Sequence, residues 1–284
     1  MIKRHYFLGA MILGIFLGFF HIPDLMAGNL KPYVGFHGGI NLTQPSIQQE
    51  FQIITLLESE EAIENDYSPF FRNLGYQIGF SLYLDFTDNF GIGLLPQHVT
   101  YSYSYAFVLD YVDSDGTVFS STETRSEQKI QYVNIPLIAK YTIHRATWSP
   151  YVFAGFSYGI MQSASGNVVR TTTQISDNIV DVNPVPNNGS QVFIRSKLNL
   201  LGGAGIIYDF NQVQIGIDLA YWYGLHNIVH EGNRYSNQTV SGYTYDLPAD
   251  TRLNHYVLNL MVLFPISKVE NRGSLECVKF RKRR

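Results

Sequence analysis

The sequence predicts an all-β protein, an eight-stranded antiparallel up-and-down transmembrane β-barrel. Three observations carry that prediction. Large apolar residues recur at every second position in eight segments. The connections between those segments alternate between tight and long, and several segments are longer than most strands of soluble sheets. In 74–86, Leu74, Tyr76, Ile78, Phe80, Leu82, Leu84 and Phe86 alternate with Gly75, Gln77, Gly79, Ser81, Tyr83 and Asp85. A period of two gathers the bulky set on one face of a strand.

Taken in order, the strands are expected at 32–42, 73–86, 89–105, 129–143, 150–161, 197–209, 212–227 and 253–265. The first sets Val34, Phe36, Ile40 and Leu42 against Gly35, His37, Gly39 and Asn41. In the third, the apolar row runs on even positions to Leu94 and on odd positions from Val99 through Tyr101, Tyr103 and Tyr105. A change of parity needs an extra residue, so a β-bulge is expected between Leu95 and His98, around Pro96; a strand ending there is the alternative. The seventh places Val213, Ile215, Ile217, Leu219, Tyr221, Tyr223 and Leu225 opposite small or polar residues, with Trp222 as the exception. The eighth carries Tyr256, Leu258, Leu260, Val262 and Phe264 in one row.

FTDN, HRATWS and DFNQ are tight connections. Those after strands one, three, five and seven are polar and about 20 to 35 residues long, against 2–5 for an ordinary hairpin. Short turns at one end and long loops at the other characterise transmembrane barrels. A soluble, lipocalin-like cup with its apolar rows inside is the rival reading. Against it stand segments at or beyond the roughly 9–11 residues that cross a bilayer at a tilt. Glycine on the opposite face suits a narrow lumen, and aromatics near the row ends suit interfacial girdles. The bulky face is therefore expected to meet lipid.

Residues 1–27 read as a signal peptide: Lys3 and Arg4, an apolar run from Tyr6 to Phe20, then Ala27 and Gly28. That run falls short of the roughly 20 residues a spanning helix needs, although Leu25 near the cut leaves an uncleaved anchor as an alternative. The barrel is expected over 28–266 and a basic tail over 267–284. Cys277 is the single cysteine, which excludes an intramolecular disulfide framework. With 20 Tyr, 19 Phe and 24 Gly and only 15% charged residues, the composition suits β-structure with crowded inward positions.

VGFHGGINLT, QYVNIPLIAKYTI, PYVFAGFSYGIM, LLGGAGIIYD and IDLAYWYGLHNI, in that order, resemble the outer-membrane β-barrel family of the Bacteroidetes, which includes PorT-type proteins. The Tyr-x-x-Ile-Pro run at 132–136 and the Tyr-x-Tyr-Gly-Leu run at 221–225 carry most of the likeness, which spans 30–265. The resemblance implies an eight-stranded barrel in the outer membrane of a Gram-negative bacterium. For PorT-like members it implies a link to type IX protein secretion and gliding. The tail from Lys268 to Arg284 departs from the pattern, in which the chain stops at the aromatic end of the last strand.

Eight strands enclose a lumen that side chains fill, so an open porin is not expected. The lumen row should hold His37, Asn41, Gln77, Asp85, Asn134, Lys140, Asp218, His226 and Asn259. It is either a satisfied polar core, with Lys140 paired to Asp218, or a small-ligand site or gate. No cofactor is expected, and no metal, since His37 and His226 lack ligand spacing. His226, His230, Glu231 and Ser236 near the seventh loop are the one constellation for a lipid- or peptide-hydrolysing barrel, without a nucleophile motif around them. The non-enzymatic structural or interaction reading is preferred.

An even strand count puts both termini in the periplasm and the long loops outside the cell. Glu58, Glu60, Glu61, Glu64 and Asp66 make the first loop acidic, and 56–64 is a candidate short helix. Lys279, Arg281, Lys282, Arg283 and Arg284 form a basic patch. It suits anionic headgroups, peptidoglycan or a secretion-machinery subunit by Coulomb attraction, or else is inert. Nucleic acid is excluded by compartment.

Overall fold

The computed structural model describes residues 30–49, 66–67, 73–112, 114–143, 147–174, 183–187, 189–210, 212–234 and 249–266. The expected leader, the 56–64 segment and the basic tail with Lys279, Arg281, Lys282, Arg283 and Arg284 lie outside the described residues. The described strands are β1 (Lys31–Gln49), β2 (Asp66–Tyr67), β3 (Leu74–Asp85), β4 (Phe90–Leu94), β5 (Gln97–Val112) and β6 (Val118–Thr142). They continue with β7 (Trp148–Gln174), β8 (Asn183–Asn187), β9 (Ser196–Asp209), β10 (Gln214–Gly224) and β11 (Asp250–Pro265). Among the described residues the only helical elements are single 3-10 turns, Gly189–Gln191 and Glu231–Asn233.

Antiparallel pairing runs β1–β3, then from β3 to β4 and β5 together, then β6, β7, β9, β10 and β11, and β11 returns to β1. The closing ladder extends from Tyr33 opposite Pro265 to Gln49 opposite Asp250, with a register shift between Ile47 and Gln49. With β4 and β5 counted as one stave, eight staves close the ring, and closure leaves no unpaired edge within it. The eight expected segments are these eight staves.

Which face is inside follows from exposure. Phe36, Ile40, Ile78, Phe80, Phe156, Leu200, Leu219 and Leu260 are exposed, while their neighbours His37, Gln77, Ser157, Asn199 and Asp218 are buried. The apolar rows cover the outside of the cylinder. Aromatic pairs gather towards both ends of that surface. Phe90–Tyr141 and Trp148–Tyr208 sit near the short turns, with ring centroids 5.0 and 4.6 Å apart. Tyr221–Tyr256, at 4.8 Å, lies towards the long loops.

Two expectations about the wall need correction. No bulge interrupts the third stave. From Leu94 to Gln97 the partners step equally, Leu82 to Gly79 on one side and Leu137 to Asn134 on the other. Backbone bonds span the break, from Phe80 N–H to Pro96 O (2.9 Å) and from Leu95 N–H to the Pro136 carbonyl (3.0 Å). Odd positions therefore point inward throughout: what changes at Pro96 is chemistry, since the inward set passes from Gly91 and Gly93 to Val99, Tyr101 and Tyr103. Within the bilayer-spanning part a bulge lies instead in β7, where Met161 faces Tyr132 and Ser163 faces Gln131, so Gln162 is the extra residue; the ladders also shift register between Ile47 and Gln49 and between Tyr111 and Val112, near the long-loop end.

The connection at 105–129 is also no loop. β5 and β6 stay paired up to Val112 opposite Val118, and β7 follows β6 out to Gln174 opposite Ser120. The turn between β5 and β6 uses Gly116 at φ 81°, a backbone conformation that costs glycine least. A three-stranded wall thus rises above the barrel at the long-loop end, flanked by β2 and β8.

Candidate functional site

The lumen is built on a repeated device. A glycine on one stave has no Cβ to fill the space, so the residues that flank it in register on the two neighbouring staves meet over it. Gly91 pairs with both Asp85 and Lys140, and Lys140 Nζ lies 3.0 Å from the Asp85 carboxylate. Gly39 lies between Gln77 and Asn259, and Gln77 Nε2 donates to Asn259 Oδ1 at 2.6 Å. Gly205 lies between Tyr151 and Asp218, and the Tyr151 hydroxyl donates to Asp218 at 3.1 Å. Gly79 lies between His37 and Gln97, whose Nε2 and Oε1 are 2.8 Å apart. A Cβ on Gly205 would approach the Tyr151 ring within 2.7 Å, so a larger residue would force these partners apart. The aromatic and glycine-rich composition is explained here: bulk on one stave lies across a vacancy on the next.

The individual bonds join into a net at the short-turn end. Asn259 Nδ2 donates to Asp218 Oδ1 at 2.9 Å, which links Gln77, Asn259, Asp218 and Tyr151. His37 also bonds Ser81 at 2.8 Å. The Lys140 ammonium lies 4.8 Å from the Tyr83 ring centroid. The expected Lys140–Asp218 pair is thus not formed. Lys140 reaches Asp85 across Gly91, and Asp218 is held by an amide and a phenol instead. His226 is not a lumen residue either: it is exposed, past the end of β10.

Above this net a cavity of about 20 Å³, room for about one water, is bounded by His37, Gln97, Phe153, Asp218 and Trp222. Higher still, Asn134 Nδ2 donates to the Tyr101 hydroxyl at 2.8 Å. The Lys197 ammonium lies 3.7 Å from the Tyr101 ring centroid and 4.4 Å from that of Tyr132. Val99, Tyr103, Ile130 and Leu253 then form an apolar layer with Val192, Phe193, Ile228 and Val229. Those last four come from two segments that cap the mouth. Ile194 N–H bonds Ile228 O and His230 N–H bonds Val192 O, both at 2.7 Å. Arg234 forms an ion pair with Asp250, and Asn227 Nδ2 also donates to Asp250, at 2.7 Å.

Of the expected cluster, His37, Gln77, Asn134, Lys140, Asp218 and Asn259 all face inward, but they occupy two levels. His230 and Glu231 are exposed on the cap, and Ser236 lies outside the described residues. Among the described residues no group of three or more potential metal ligands occurs. Sequence reasoning missed Lys197, Asn199 and His255. Their alternation with Leu198, Leu200 and Tyr256 was the signal that would have found them.

Residues 30–230 match the family described as outer membrane protein beta-barrel domain. No curated protein matches the chain. Among solved structures, the outer membrane protein OprG from Pseudomonas aeruginosa is 12% identical, with 84% of this chain and 97% of that one covered and a TM-score of 0.39. Ail, the attachment invasion locus protein of Yersinia pestis, crystallised with sucrose octasulfate, is 12% identical over 82% and 99% at a TM-score of 0.31. The N-terminal barrel domain of Pseudomonas aeruginosa OprF is 15% identical over 84% and 98%, also at 0.31.

Proposed function

The chain belongs to the outer membrane protein beta-barrel domain family, and on that premise we propose that it acts as a sealed, non-enzymatic structural or interaction component of the outer membrane. One observation carries the reading: the lumen is crossed by the net around Asp218 and closed above by the cap. A barrel blocked at both levels has its two ends left for function. In this reading the tail with Lys279, Arg281, Lys282, Arg283 and Arg284 faces the periplasm and meets an acidic or anionic partner. The wall of β5, β6 and β7 stands outside the cell. The resemblance to PorT-type proteins supports a secretion-machinery subunit as that partner.

Hydrolysis is the weaker alternative, because His226, His230 and Glu231 are exposed rather than gathered around a nucleophile. The test is affinity purification of the full chain, and of a form lacking 268–284, from cross-linked cells. Secretion components recovered with the full chain and lost on truncation support the proposal. An equimolar absence of any partner, together with steady single-channel current from the pure barrel, overturns it.

A further inference from the structure

The polar groups below the cavity fall into two separate sets. In one, His37 bonds Ser81 through Nδ1 and Gln97 Oε1 through Nε2, both at 2.8 Å. The other runs from Gln77 through Asn259 and Asp218 to Tyr151. Among the described residues no hydrogen bond joins the two sets. Gln97 stands on β5 and Asp218 on β10. Four of the eight staves separate them, so they face one another across the diameter of the ring.

The cavity of about 20 Å³ lies between them, and Gln97, Trp222 and Asp218 all line it. Gln97 and Trp222 are each 4% exposed, and Gln97 Nε2 and Trp222 Nε1 are buried without a hydrogen-bond partner. Both atoms are donors. His37 and Asn259 also line the space, but each is already engaged through both of its polar side-chain atoms. Asp218 accepts one bond at each oxygen, from Asn259 and from Tyr151, which leaves each oxygen a second lone pair. Trp222 is the one residue that breaks the small or polar row of its strand. Its ring packs against His255, with centroids 5.0 Å apart, while its N–H has no use within the described chain.

A void lined only by apolar groups stays dry, whereas one of this volume with two to four polar partners holds a water. Buried donors are rarely left bare. Two N–H groups disfavour a cation, the oxygens of Asp218 disfavour an anion, and the volume admits one heavy atom. We propose that the cavity is a binding site for a single water, which accepts from Gln97 Nε2 and the Trp222 indole and donates to the Asp218 carboxyl. The water joins the two sets of polar groups across the lumen, so that the seal is one continuous net from β1 and β5 to β10 and β11. The site stands whether or not the barrel ends bind a protein partner.

Two measurements on the full chain test it. A crystal structure at a resolution that shows waters should place one peak within hydrogen-bond distance of Gln97 Nε2, Trp222 Nε1 and Asp218. In detergent micelles, the Trp222 indole proton and the Gln97 amide protons should each give a nuclear Overhauser cross-peak to a long-lived water. Gln97→Leu removes one partner and fills the space, so the Trp222 cross-peak should vanish. Trp222→Phe keeps the packed ring and deletes the N–H, so the Gln97 cross-peak should weaken. Heat-modifiable migration confirms that each variant is folded; where one is not, the other and the wild-type density decide. An empty cavity, an ion at that position, or a direct bond from either nitrogen to an acceptor of the chain overturns the proposal. So does the absence of both cross-peaks, or their persistence unchanged in a folded variant.

Discussion

Lys140 reaches Asp85 because the residue between them, Gly91, has no side chain. Both charged groups are almost wholly buried, at 3% and 2% side-chain exposure. Removing one member of such a pair is costly because the other charge stays in a low-dielectric interior, whereas replacing both with apolar groups of similar volume is often neutral. Lys140→Met should therefore destabilise the barrel by about 3–5 kcal/mol, and Lys140→Met with Asp85→Leu should recover most of the loss. Urea unfolding in lipid vesicles measures both. A double variant as unstable as the single one would show that the pair itself, not the stranded carboxylate, holds the wall. The same logic makes the lumen glycines as specific as the polar residues they separate. Gly39, Gly79, Gly91 and Gly205 each join two partners that lie two staves apart.

β7 carries an extra residue between Met161 and Ser163 and the third stave carries none, although sequence patterning pointed the other way. Deleting Gln162 turns β7 into a plain alternating strand and still leaves Ala164 and Val168, both buried, facing inward. Deleting Leu95 instead shifts Gln97, Val99, Tyr101 and Tyr103 to the lipid side, since a one-residue slip reverses every side chain. Heat-modifiable migration on a denaturing gel, which reports the folded barrel, should survive the first deletion and vanish with the second. Survival of both would refute the unbulged register.

The same elements show what was legible in the sequence. The eight staves and their short turns could be read because lipid-facing Leu, Ile and Phe alternate strictly with lumen residues. The upper parts of β5, β6 and β7 could not: Ser120 through Gln128 are polar on both faces, so strand and loop look alike until backbone pairing joins them. Tyr101 and Tyr103 misled for a physical reason. An aromatic is equally at home in hydrocarbon and in an apolar plug, and only the register decides between them. Lys140 was read as a lumen charge, but its partner was not, because pairing depends on which stave presents a glycine at that height.

The molecule as a whole has two unlike ends. At one, tight turns such as that of Phe86, whose N–H bonds Phe90 O at 2.9 Å, close the hairpins, and Ile266 N–H bonds Pro32 O at 2.8 Å where the chain enters and leaves the barrel. At the other rise the β5–β6–β7 wall and the cap. Between them the exposed rows of Phe, Ile and Leu would each lose roughly 1.5–3 kcal/mol if left in water, so hydrocarbon must surround the middle. Eight staves return the chain to the side it started from, and in outer-membrane barrels the short turns lie in the periplasm. On the orientation proposed above, the tail would carry Cys277 into the periplasm, while Asp115, exposed in the β5–β6 turn, would face the medium. A membrane-impermeant maleimide should leave Cys277 unlabelled in intact cells and label it once the outer membrane is permeabilised. Asp115→Cys, in a Cys277→Ser background, should be labelled in intact cells. The reverse pattern would invert the barrel and move the basic tail to the outside, where it could not meet a periplasmic partner.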